Sequence, residues 1–259
     1  MLLVISVITA VHYAEVIAHK LGEPYGTLVL AVSVTIIEVA LIVAMMLSGS
    51  DGATYIARDA VFAAIMIVMN GVVGLCIFIG GINHKELQFR IEGPNSAIAV
   101  LATLATFTLI LPVFAIGSPG PTFTQSQLAF AGISSLALYA AFIFFQTVSH
   151  RDYFLPKDQN LKNNELVHAE PPGKLKTIVS TGLLFISLIF VVWLAKSLSP
   201  FIESAVNAMG APKTIVGIAI AALVLMPESI AAVRSAKANR LQTSLNLALG
   251  SALASIGLT

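Results

Sequence analysis

Two glutamates sit in the middle of long apolar runs. Glu38 lies within Val34-Thr35-Ile36-Ile37-Glu38-Val39-Ala40-Leu41, and Glu228 within Leu223-Val224-Leu225-Met226-Pro227-Glu228-Ser229-Ile230. A charge at the centre of a membrane-spanning helix costs about 2.5–3.5 kcal/mol on insertion scales, so such residues face a bundle interior or a wet cavity. There a carboxylate holds a proton or a cation, and each displaces the other. Pro227 adds a second irregularity. It has no N–H, so the carbonyl of Leu223 loses its helical partner. A carbonyl freed in lipid must find another partner, and a cation is one candidate.

Polar residues follow on the next apolar run in each case. After Glu38 come Asn70, Gly71 and Gly74; after Glu228 come Ser244, Ala248, Ser251, Ser255 and Thr259, spaced to share one helical face. Small residues let helices approach closely, and hydroxyl and amide oxygens can complete a cation's shell. Asn70, Ser251 and Ser255 are therefore candidate ligands beside the two carboxylates. Each has a second reading as hydrogen-bonding glue between helices, as each glutamate has one as a protonated structural acid. Asn246 lies off the Ser251 face. His12, Glu15 and His19 form one stripe, read as a wet helix end with a proton relay as the alternative.

The elements that position these residues follow from composition. Of 259 residues, 57% are hydrophobic and 10% charged, where a soluble domain carries about 25% charged. Apolar runs of about 20 residues, enough to cross a bilayer core, recur from end to end. Runs such as 175–198 lack the alternation of a barrel strand, so they are helices. The reading is an all-α polytopic bundle of about eight spans: 1–18, 27–47, 59–81, 96–116, 128–148, 175–198, 213–232 and 241–259. Clusters such as Gly93-Pro94-Asn95 and Gly117-Ser118-Pro119-Gly120-Pro121 separate them. A polar stretch at 149–174 divides an N-terminal half, 1–148, from a C-terminal half, 175–259. Neither end has a polar flank, so the sequence reads as a fragment of a longer chain.

Eleven Lys and Arg, from Lys20 to Arg240, fall on the side that holds the polar stretch; Arg58, Lys196 and Lys213 fall on the other. The excess marks the cytoplasmic side. Spans 2 and 7 then run in opposite directions. Laying Glu38 on Glu228 also lays Ala31 on Ala221 and Val34 on Val224. Similar helices in opposite directions are the mark of an inverted-repeat transporter, whose site lies at the midplane. The expected faces are Ala31, Thr35, Glu38, Ile42 and Met45 on span 2, and Ala221, Val224, Glu228, Ala232 and Ser235 on span 7. A net charge of +1 gives no reason to expect nucleic acid. The partners expected are the lipid bilayer and inorganic cations, and nothing in the sequence marks an oligomeric state. The single Cys76 permits no internal disulfide.

Residues His19-Lys20-Leu21-Gly22-Glu23-Pro24-Tyr25-Gly26-Thr27, running on to Glu38, resemble the first repeat of bacterial calcium/proton antiporters of the ChaA type, members of the cation/calcium exchanger superfamily. Pro227-Glu228, with Leu245-Asn246-Leu247-Ala248-Leu249-Gly250-Ser251-Ala252-Leu253-Ala254-Ser255, resembles the second. The resemblance covers essentially the whole chain. It implies exchange of calcium, sodium or potassium for protons in a bacterial inner membrane, no resident cofactor, and about eleven spans, of which one near the start and two or three at the end would be absent here. It places Glu38 and Glu228 on the family's two essential acidic positions. The wider superfamily has Gly-Asn-Ala-x-Glu where this chain has Thr35-Ile36-Ile37-Glu38 and Leu225-Met226-Pro227-Glu228, so the asparagine ligand is absent from both. The expected function is a secondary cation/proton antiporter. Its rivals are a scaffolding membrane protein and an intramembrane enzyme, and for the enzyme no Ser/His dyad, paired Asp or His-Glu-x-x-His motif is present.

Overall fold

The computed structural model describes residues 2–21, 33, 35–36, 39, 42–43, 53–117, 122–155, 173–210, 212 and 214–258. Among the described residues all regular structure is helical, as a chain in lipid requires when its backbone must bond to itself. The α-helices are α1 (Leu2–Leu21), α2 (Ala53–Met66), α3 (Val73–His84), α4 (Glu92–Ala105), α5 (Leu111–Phe114), α6 (Gln125–Phe144), α7 (Lys174–Ala208), α8 (Thr214–Lys237) and α9 (Leu241–Leu258). Wide π-helical turns join α2 to α3 (Ile67–Val72) and α4 to α5 (Thr106–Ile110). A third, Phe145–Ser149, ends α6, and a 3-10 turn at Arg151–Phe154 follows. Residues 33, 35–36, 39 and 42–43 are helical within the expected second span.

Four segments are long and apolar enough to cross a membrane: Arg58–His84, Glu92–Phe114, Gln125–Ser149 and Leu241–Leu258. They fall on expected spans 3, 4, 5 and 8. Shorter apolar helices at Ile5–Ala14 and Leu175–Val191 fall on spans 1 and 6, and α8 covers span 7. Large apolar side chains such as Phe78, Ile82, Phe114, Phe130 and Ile133 point outward, as lipid-facing surfaces do.

Three boundaries differ from the sequence reading. Gly93-Pro94-Asn95 lies inside the first turn of α4 rather than before it, because a proline in that turn gives up an N–H that has no helical acceptor anyway. Helix α7 passes Pro200 and continues to Ala208; beyond the one lost bond, the following backbone is still best satisfied within a helix. Helix α8 runs on to Lys237, with Arg234 and Lys237 in its last turn facing the negative end of the helix dipole.

The wide turns have local causes. Buried Ala60, Ala64, Val68, Val72, Cys76 and Gly80 recur every four residues. An α-helix repeats every 3.6 residues, so that stripe would drift around a straight helix. The turn at Ile67–Val72 takes up one more residue and returns it to the interior. At Thr106–Ile110 the Leu111 N–H reaches back five residues to the Thr106 carbonyl, just before Pro112 breaks the ordinary pattern.

The chain forms two compact units. The first comprises residues 1–64 and 167–227. In it α1 packs along α7, with Val7, Ala10 and Ala14 buried on α1 and Ser180, Leu184, Ser187 and Val191 buried on α7. Gly217 of α8 lies against the backbone of α2: a β-carbon there would stand 3.0 Å from the Ala60 nitrogen.

The second unit comprises residues 65–166 and 228–259. Its centre is α9, which packs against α3, α4 and α6 and is buried on nearly all sides, as expected of a helix inside a bundle. Two glycines set its close approaches. A β-carbon at Gly257 would meet Tyr139 Cβ at 2.8 Å, and one at Gly93 the Tyr153 carbonyl at 2.7 Å. Gly93→Ala and Gly257→Ala are each expected to destabilise by about 1–3 kcal/mol through overpacking. Gly132, with nothing within 4 Å of its β-carbon position, should tolerate alanine with a change under about 0.5 kcal/mol. Thermal unfolding in detergent checks this, and equal melting temperatures for all three variants would contradict it.

Candidate functional site

Helix α8 runs unbroken through Pro227. Among its described positions the buried ones are Gly217, Ala221, Leu225, Glu228, Ala232 and Ala236, about one per turn, and the side chain of Val224 lies outside those described. This is close to the expected stripe, but Ala236 is buried where Ser235 was expected, and Ser235 is half-buried. Glu228 is 9% exposed, and among the described residues no other Asp, Glu, Lys, Arg or His side chain is buried. A carboxylate in that setting is penalised when bare.

Helix α9 carries the hydroxyls of the second unit. Ser244 is fully buried and donates its Oγ–H to the Ala232 carbonyl at 2.7 Å, which fastens α9 to α8 one turn beyond Glu228. The Cys76 side chain on α3 hydrogen-bonds to the same hydroxyl. Further along the same face, Ala248 and Ser255 are buried and Ser251 is half-buried; the stripe read from spacing is an interior face. Thr259 lies outside the described residues.

Asn70 stands in the wide turn Ile67–Val72, which packs beside α9. Its side chain is nevertheless exposed, and its Nδ2 donates to the Met66 carbonyl at 3.3 Å on its own helix. Glu228 on α8 and Ser244, Ser251 and Ser255 on α9 thus belong to one unit, and the Asn70 amide is committed to its own helix. No group of three or more His, Cys, Asp or Glu that could hold a metal occurs among the described residues. A cation at Glu228 would complete its shell from neutral oxygens.

Glu38 lies outside the described residues. Its expected stripe-mates Thr35 and Ile42 are buried, while Ile36 and Val43 are exposed, so the described part of that face points inward. Ser33, read as off the face, is buried as well. His12 is exposed, its ring tilted against Tyr13 at 5.8 Å; of the side chains of Glu15 and His19 nothing is described.

Sequence reasoning missed the clamp at the start of α9. Gln242 and Asn246 hydrogen-bond each other, Gln242 Nε2 to Asn246 Oδ1, at 3.1 Å. Both also reach backbone groups far off in the chain: Gln242 Oε1 accepts from Arg90 N at 2.6 Å, and Asn246 Nδ2 donates to the Phe154 carbonyl at 2.6 Å. The one signal available was two amides four residues apart at the head of an apolar helix. Asn246, read from the sequence as off the Ser251 face, spends both ends of its amide in this clamp.

Residues 1–148 and 179–259 match the family described as sodium/calcium exchanger protein. A putative ionic transporter, y4hA, of Sinorhizobium fredii is 48% identical over 254 residues, 98% of this chain and 68% of its own length. The sodium-potassium/proton antiporter ChaA of Escherichia coli is 33% identical, again over 98% of this chain and 68% of its own. The crystal structure of the H+/Ca2+ exchanger CAX superposes with a TM-score of 0.67 over 98% of this chain and 63% of that one, at 14% identity. At that identity the likeness is one of fold.

The geometry separates the candidate ligands. Ser251→Ala and Ser255→Ala are each expected to raise the apparent KM for the transported cation about threefold to tenfold, the scale of one lost oxygen contact. Asn70→Ala should change it by less than about twofold, since its amide is committed to Met66. Cation-dependent proton flux in vesicles made with the full-length protein measures both. An Asn70→Ala effect as large as that of Ser255→Ala would mean that Asn70 turns inward during transport.

Proposed function

This chain belongs to the sodium/calcium exchanger protein family, and from that premise we propose that it exchanges calcium, sodium or potassium for protons, with Glu38 and Glu228 as the groups the two kinds of ion share. The observation that carries this reading is the burial of Glu228 on an interior face of α8. A charge buried on a membrane-spanning helix is costly, so such acids mark ion and proton sites.

Mechanism follows from competition. With no cation present, Glu228 keeps its proton, because burial penalises the bare carboxylate, and a glutamate at the centre of a span, as Glu38 is expected to be, meets the same cost. A cation that binds at the carboxylates supplies positive charge in place of the protons and expels them. Because proton and cation exclude each other, exposing the site first to one side and then to the other makes the exchange obligatory. A divalent ion against two protons would be electroneutral at a two-glutamate site. No covalent bond is made or broken, so the activity is transport and not enzymatic catalysis. The setting is the plasma membrane of a bacterium, with the stretch 149–174 in the cytoplasm, as the distribution of Lys and Arg favours. The inverted relation expected from the sequence for the two glutamate-bearing helices would supply the symmetry on which alternating access is built.

Glu38→Gln and Glu228→Gln should each abolish ion-dependent proton flux in everted vesicles containing the full-length protein, with insertion and folding retained. Glutamine preserves size and hydrogen bonding, but it cannot release a proton and offers a cation only a neutral dipole. The double variant should be no worse than either single one, since residues acting as a unit are non-additive. A structural acid is mimicked well by glutamine. Flux above about half of wild type in both single variants, at normal expression, would therefore refute the mechanism.

A further inference from the structure

The clamp at the head of α9 is more elaborate than a helix start needs. Helix α9 begins at Leu241, and its first turns carry a 2% exposed glutamine whose amide is used at both ends. Oε1 accepts from Arg90 N in the α3–α4 connection at 2.6 Å; Nε2 donates to the Tyr153 carbonyl at 3.4 Å and to Asn246 Oδ1 at 3.1 Å. Asn246 completes the set through its 2.6 Å bond to the Phe154 carbonyl. Close by, His84 Nε2 lies 2.7 Å from the Lys237 carbonyl at the end of α8. Gly93 leaves no room for a side chain between Tyr153 and Gln242.

Tyr153 and Phe154 belong to the first turn of the central polar stretch. That turn is itself fixed on α6: the His150 ring stacks on Phe145 at 4.2 Å, and Phe154 packs edge-on to Phe142 at 5.9 Å. Sliding or rotating α9 would break the Arg90, Tyr153 and Phe154 bonds together. The same rigid helix carries Ser251 and Ser255 further along, and Ser244 ties it to α8 just past Glu228.

We propose that Gln242 and Asn246 are positioning residues that hold α9, and with it the α9 hydroxyls, in place relative to Glu228. Neither residue touches the ion. They act through the helix, whose small displacements matter because binding geometry tolerates little error. This rests on the reading of Glu228 as the exchange site.

The test uses the full-length protein in vesicles and measures the cation dependence of proton flux. Gln242→Ala with Asn246→Ala should raise the apparent KM about threefold to tenfold while leaving the maximal rate within about twofold. If the double variant fails to insert, Asn246→Ala alone, which keeps the Gln242 bonds to Arg90 and Tyr153, replaces it. An unchanged KM with only a lower melting temperature would reduce the clamp to a structural fastening and overturn the proposal. Glu228→Gln is measured alongside: if it transports normally, the exchange-site reading itself fails, whereas an inactive Glu228→Gln beside a clamp variant of wild-type KM removes this inference alone.

Discussion

Lipid offers no hydrogen-bond partner, and the rest of this molecule follows from that. Every described regular element is a helix, because helices satisfy their own backbone. Where a proline interrupts the ladder, as at Pro112, a wide turn re-registers the bonds. Serine and threonine hydroxyls on the spans return to carbonyls of their own helix, as Thr103, Thr106, Thr108 and Thr147 do. Against that background the Ser244 bond across to Ala232 stands out, and so does the buried Glu228. These are the places where the chain accepts a polar cost inside the membrane, and both lie on the α8–α9 pair.

The second unit shows how that cost is supported. Helix α9 is enclosed by α3, α4 and α6, approached closely at Gly257 and Gly93, and tied at its head by two amides to backbone on two different connections. Enclosure fixes the helix laterally and the amides fix it axially. A hydroxyl on such a helix is held in place, which an ion-binding group needs and a lipid-facing one does not.

Much of this was legible in the sequence, for identifiable reasons. Apolar run length carries the spans, since the bilayer sets it. Glu228 is conspicuous because the surrounding residues forbid a charge, and the buried face of α9 follows from the spacing of Ser244, Ala248, Ser251 and Ser255. Boundaries were less legible: Gly93-Pro94-Asn95 and Pro200 signal breaks by local chemistry, yet the proline of a first turn is harmless, and a helix in apolar surroundings resumes after one lost bond. The wide turns escaped because their cause is a burial pattern with a repeat of four rather than a residue signal. Asn70 was read for its side-chain type, but direction is set by the turn that holds it. The clamp was illegible because its partners are backbone groups about ninety and about one hundred and fifty residues away in the chain, and backbone groups leave no mark in composition. Glu38 was legible in the same way as Glu228 and lies outside the described residues.

The central claim is that one buried acidic site holds either a proton or a cation. Calorimetry of cation binding to the purified full-length protein in detergent, repeated in buffers of different ionisation enthalpy, tests it without requiring transport. The account predicts that the measured heat varies with the buffer because protons leave as the cation binds, and that this dependence is lost in Glu228→Gln. Cation binding with a heat independent of the buffer in the wild-type protein would contradict it.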